Sequence, residues 1–145
     1  MLLSERIDVF FNSLIAKTEH QNELLIGKCQ SDISLTSTQE HILMLLKDGK
    51  WTNTDLAKAL SISQAAVSKA VKQLIQKDLV VSVKDGKDGR VSYLMVTDNG
   101  LPIAIEHAEH HQSTLQVYET ILTAFSEDDQ EVIARFVDEL SRKVL

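Results

Sequence analysis

Residues 52–97 read TNTDLAKALSISQAAVSKAVKQLIQKDLVVSVKDGKDGRVSYLMVT, and the period of their apolar positions changes partway along. Thr52-Asn53-Thr54-Asp55 has the form of a helix N-terminus and opens a short helix ending near Leu60. Ser61-Ile62-Ser63 is a three-residue turn, and a second helix runs on to about Asp78. Short helix, tight turn and longer helix are helix-turn-helix proportions. In the longer helix Val67, Ala70, Val71, Leu74 and Ile75 form one apolar stripe, expected to face the core. The opposite face carries Gln64, Ala65, Ser68, Lys69 and Lys72, small, amide and basic side chains suited to base edges and phosphates in a major groove. An amphipathic helix with a merely solvated face shows the same pattern. Leu79 to Lys84 and Val91 to Thr97 then alternate as strands around Asp85-Gly86-Lys87-Asp88-Gly89-Arg90, a hairpin signature. A surface turn alone says little; a basic hairpin directly after a helix-turn-helix is the order of a winged helix.

Outward from this stretch the pattern is helical. Leu3, Ile7, Phe10, Phe11, Leu14 and Ile15, then Leu24 and Leu25, predict a long first helix from about Leu2 to Lys28. Ser37-Thr38-Gln39-Glu40 reads as a capping box for a second helix through Leu46, closed by Gly49. Two more helices are expected, from Leu101 to Phe125 and from Ser126, as cap, to Lys143. The fold class is therefore mainly α with a small β-hairpin wing, in one domain over 1–145. Val132, Ile133, Phe136, Val137 and Leu140 make a C-terminal apolar stripe that needs a partner, within the chain or from a second copy.

The net charge of −6 argues at first against nucleic acid. Residues 61–92, however, carry six cations (Lys69, Lys72, Lys77, Lys84, Lys87, Arg90) against three anions, so the basic charge is local, which is what phosphate binding requires. The longest apolar run, Ile42 to Leu46, is far too short to span a bilayer, and Glu5, Arg6 and Asp8 spoil any secretory signal, so a cytoplasmic protein with no membrane partner is expected. A single cysteine, Cys29, excludes an intrachain disulfide.

With these elements placed, the sequence resembles the MarR family of regulators. The matching residues are Leu35-Thr36-Ser37-Thr38-Gln39, Leu56-Ala57, Ala66-Val67-Ser68, Leu74, Asp88-Gly89-Arg90, Val96-Thr97 and Gly100. The resemblance covers nearly the whole chain. It implies a homodimer on double-stranded operator DNA, with Arg90 at the wing tip and Lys87 beside it. It also implies dimerisation helices at about 1–35 and 101–145 around a DNA-binding region at about 36–98.

Histidines and acids add a second theme. His107 and His111 stand four apart and project from one helix face; two solvated histidines would look the same. The dipeptide Glu-His occurs twice, at Glu40-His41 and Glu106-His107. Adjacent helical residues diverge by about 100°, so each dipeptide can serve two neighbouring sites. Glu23, His41, His107 and His111 make a closed zinc set, and Cys29, Glu40 and Glu106 a second set with water, two ions per protomer. Each acid taken singly also reads as an ordinary exposed carboxylate. Within the MarR family the chain is similar to the zinc-responsive AdcR/ZitR repressors, through Glu23, Leu25-Ile26-Gly27, Cys29, Gln39 to Leu46, Ser63 to Val67 and Glu106-His107. That similarity maps metal ligands onto the same seven residues. It implies a zinc-dependent repressor of zinc-uptake genes. His110 shares the face of Glu106 and is an optional extra ligand, while His20 matches nothing.

Other functions fit less well. A zinc hydrolase would need an open coordination position, and no His-Glu-x-x-His occurs. A repressor sensing an oxidant through Cys29 would lack a resolving thiol within the chain, which leaves pairing between subunits. Sensing of an organic ligand in a buried pocket is the remaining alternative.

Overall fold

Caps and turns account for most element boundaries in the computed structural model, which describes residues 1–18 and 33–145. The described elements are α1 (Leu3–Thr18), α2 (Ser37–Leu46), α3 (Asn53–Leu60), α4 (Gln64–Gln76), β1 (Val80–Lys84), β2 (Ser92–Val96), α5 (Leu101–Leu122) and α6 (Glu127–Val144). The expected helical and strand segments all appear in order. The stretch of the first helix beyond Thr18 lies outside the described residues.

Helix α2 begins one residue earlier than the Ser37–Glu40 box predicts. Thr36 is the cap: its side chain accepts from the Gln39 amide, and the Gln39 side chain accepts from the Thr36 amide. Either frame satisfies the motif, but this one turns Gln39 and Glu40 inward, each 3% exposed. Thr52 and Asp55 close the predicted box on α3, and Ser63 caps α4 through the Ala66 amide. Ser61 takes a left-handed conformation (φ 55°) that makes the sharp turn between them.

The chain divides into two compact units. In residues 1–111 the core comprises Leu35, Ile42, Leu43, Leu46, Leu56, Ala57, Val67, Ala70, Val71, Leu74, Leu79, Val80, Leu94, Ile103 and Ala104. Each fully buried leucine contributes roughly 1.5–3 kcal/mol. Ile75 departs from its expected place in the stripe of α4. It is 42% exposed and lines a groove with Arg90 and Val91. One helix face is narrower than a five-residue stripe, and Val67, Val71 and Leu74 already fill it.

The wing is a two-stranded antiparallel ribbon, Val80 opposite Val96 and Lys84 opposite Ser92. Trp51 extends it by exchanging backbone hydrogen bonds with Leu94. Gly100 seals the return to α5: a Cβ there would lie 2.4 Å from the Leu79 carbonyl oxygen. Residues 112–145 hold the end of α5 and α6. Gln130 donates to the Leu122 and Phe125 carbonyls, and Ser126 caps α6 as expected. No α6 residue is buried, and Val132, Phe136 and Val137 are about half exposed. Among the described residues no helix is long and apolar enough to cross a membrane.

Candidate functional site

On α4, Gln64, Ala65, Ser68, Lys69 and Lys72 are all exposed, on the face away from Val67, Val71 and Leu74. With no acid in the first turn, the positive end of the helix dipole is unscreened there. The predicted reading residues therefore do share one solvent face. A neighbour that the sequence did not single out joins them. Asn53, the first residue of α3, donates from Nδ2 to Ser68 Oγ at 3.0 Å. Its only sequence signal is its place directly after a helix cap.

The wing tip is ordered by its own acids. Asp85 accepts from the Lys87 amide at 3.1 Å, and Asp88 accepts from both the amide and Nε of Arg90. These bonds, the backbone one foremost, hold the Asp88 carboxyl below its ordinary value. The rest of the guanidinium stays in solvent, 92% exposed, where it can meet a phosphate. Lys87 is exposed beside it. Asp55 is likewise lowered, first by the Thr52 amide that it accepts at the start of α3.

The histidines converge as well. His41 on α2 meets His107 on α5 edge to face, ring centroids 4.5 Å apart, and His111 at 6.0 Å. His41 Nδ1 lies 2.8 Å from the Ser37 carbonyl oxygen, and His107 Nδ1 lies 3.2 Å from Glu40 Oε2. His107 is fully buried, and the Glu40 side chain is 5% exposed. An acid or carbonyl behind Nδ1 fixes the ring and directs Nε2 toward a metal, the usual outer-shell arrangement of histidine ligands. His41 and His107 thus have the kind of ring partner that zinc-ligating histidines have.

Glu40, grouped by the sequence with Cys29 and Glu106, stands against His107 of the other set. Glu106 and His110 are half-buried on α5. Glu23, Cys29 and His20 lie outside the described residues. Among the described residues no group of three or more histidine, cysteine or acidic side chains is arranged to hold a metal ion.

The corner also connects to the reading helix. Gln39, next to Glu40, donates from Nε2 to Gln73 Oε1 on α4 at 2.6 Å.

The profile of the MarR family matches residues 35–92. The transcriptional regulator AdcR of Streptococcus pyogenes is 51% identical over 135 residues, 93% of this chain and 92% of that protein. Wild-type ZitR of Lactococcus lactis in complex with DNA superposes with a TM-score of 0.82 at 42% identity, covering 100% of this chain and 99% of that one. A further ZitR structure, described as a zinc-responsive MarR family member, gives a TM-score of 0.77 at 38% identity over 99% of this chain and 100% of the other.

Proposed function

The chain belongs to the MarR family, whose members are DNA-binding transcription regulators and not enzymes, and from that premise we propose that it is a zinc-dependent repressor. It binds operator DNA as a homodimer when zinc-loaded and controls genes of zinc uptake, inside the cytoplasm. The convergence of His107 and His111 on His41, with Glu40 behind His107 and one residue from the Gln39–Gln73 bond to α4, carries this reading.

Glu23, His41, His107 and His111 would hold one ion, and Cys29, Glu40 and Glu106 a second, two per protomer. Zinc at the first set would supply a cross-link between helices with all its ligands from the protein, which leaves no position for catalysis. Ser37 and Glu40 orient the two buried-side imidazoles, so little conformational freedom remains to be lost on ligation. Gln39 carries the position of α2 to α4 through Gln73. The spacing of two reading helices in a dimer must match half-sites roughly 34–36 Å apart, so a small displacement of α4 decides binding. Gln64, Ala65, Ser68, Lys69 and Lys72 would enter the major groove, with Lys87 and Arg90 on the flanking backbone or minor groove. The exposed apolar faces of α1 and α6 suit the dimer contact, in keeping with dimerisation segments at about 1–35 and 101–145 around a reading region at about 36–98.

The test is operator binding titrated with zinc for the parent and His107→Ala. The parent should bind only with zinc, and the variant should lose that response with dimer and helix content retained. A variant that still responds like the parent rejects the reading.

A further inference from the structure

We propose that Asn53 biases the polarity of Ser68, occupying one of its lone pairs and favouring its role as a hydrogen-bond donor toward DNA, so that the operator position facing Ser68 preferentially presents an acceptor. This deepens the DNA-binding reading above and rests on it. A serine hydroxyl has one hydrogen and two lone pairs, and free to rotate it can meet a donor or an acceptor. Serine tolerates many bases for that reason. Here the rotation is constrained. Asn53 Nδ2 donates to Ser68 Oγ at 3.0 Å, and an amide N–H pointing at the oxygen keeps the hydroxyl hydrogen directed elsewhere.

Two further observations strengthen the constraint. Helical serines often turn their hydrogen back onto the carbonyl four residues earlier. Ser13 of α1 does so, donating to the Val9 oxygen at 2.8 Å, whereas the bond Ser68 makes is one it accepts, from the Asn53 amide. The amide itself is anchored. Asn53 directly follows Thr52, whose side chain and backbone are both tied to Asp55 in a closed capping box, and Asn53 is half-buried. Ser68 lies one turn into α4 among the exposed Gln64, Ala65, Lys69 and Lys72. With one lone pair filled from α3, its hydrogen and its one remaining lone pair are left for the solvent side that DNA would occupy.

The base code then follows. In the major groove guanine offers N7 and O6, adenine N7, and thymine O4 as acceptors, while cytosine offers only the N4 donor. With one of its two lone pairs occupied, Ser68 is biased toward donating, which disfavours cytosine at the base it faces and favours guanine. Asn53 acts through Ser68 and is a positioning residue for specificity. No direct contact of Asn53 with a base is needed.

The experiment is binding-site selection at saturating zinc with the parent, Asn53→Ala, Asn53→Asp, Ser68→Ala and the Asn53→Ala/Ser68→Ala double variant. The parent should disfavour cytosine at one position of each half-site. Asn53→Ala should weaken that preference by up to about fivefold, the worth of one ordinary hydrogen bond of about 1 kcal/mol. The double variant should match Ser68→Ala there. Asn53→Asp reverses the polarity: its carboxylate accepts the Ser68 hydrogen and turns a lone pair outward, so the preference should move toward cytosine or the adenine amino group. Its overall affinity falls by repulsion from phosphates, so base preference is the quantity to read.

A uniform loss of affinity for Asn53→Ala with an unchanged consensus would make Asn53 a phosphate contact and overturn the proposal. So would an unchanged consensus for both Asn53→Ala and Ser68→Ala, since Ser68 would then face no base. A parent that selects no DNA with zinc present fails at the earlier step, the repressor reading itself.

Discussion

The reading head and the histidine corner are built on opposite principles, although α2 belongs to both. From α3 to β2, each element carries its own start signal, apolar stripe or turn. Thr52, Ser63 and Asp88 close local rings within three residues, and the leucines beneath them are fully buried. The corner between α2 and α5 is polar where it is buried. It places Glu40 and His107 together in a region where an uncompensated charge would be costly. A region assembled from local signals holds its shape before any ligand arrives. A region that gathers polar groups from distant segments completes its interactions only through tertiary contact, which suits it to respond to an ion.

That contrast breaks most readily at Leu74, fully buried beneath the reading helix. Leu74→Ala should cost about 2–5 kcal/mol of unfolding free energy by the loss of buried surface and the cavity left behind. Its folded fraction should still bind zinc as the parent does, which denaturant unfolding alongside a competitive zinc titration would read. An equal fall in zinc affinity would show that the two regions are not separable.

Glu40→Gln approaches the contrast from the other side, with a smaller effect. The amide keeps the volume but loses the negative charge behind His107 Nδ1 as well as a carboxylate proposed for the second ion, and outer partners of this kind are worth roughly 10–100-fold in metal affinity at the first set. Unfolding should move little. If zinc affinity is unchanged and stability falls instead, Glu40 is a structural residue of the α2–α5 contact.

The smallest effect is expected at the wing. The Asp88 carboxyl, on the surface, is lowered by the Arg90 amide and guanidinium, so its ionised form is favoured in the folded turn. A depressed folded value means that this contribution is present above the ordinary value of 3.8 and lost as pH falls through the folded value. The Arg90 amide signal, followed by NMR, should therefore stay constant from neutral pH down to the ordinary carboxylate range and titrate only below 3.8. A midpoint at or above that value would mean that the turn does not hold Arg90 in solution.

Much of the fold was legible because helix caps, hairpin glycines and apolar periods are short-range effects, written within a few residues of where they act. Thr52 to Asp55 and Ser126 announced two helices, and the change of period after Asp78 announced the wing. Ile75 misled because periodicity marks a face without saying how wide the covering neighbour is. The Ser37–Glu40 box misled because two overlapping motifs satisfy the same rule one residue apart.

The sequence by itself determined the element order, the basic face of α4 and the pairing of His107 with His111 on one helix, all consequences of helical and strand geometry. Only the tertiary structure decided that Glu40 backs His107, that Gln39 reaches Gln73 and that Asn53 takes hold of Ser68. Each of these joins segments separated along the chain. No local rule sets which polar groups meet across such a distance: packing of the shared apolar core brings the helices together, and the polar side chains bond to whatever that packing places within reach.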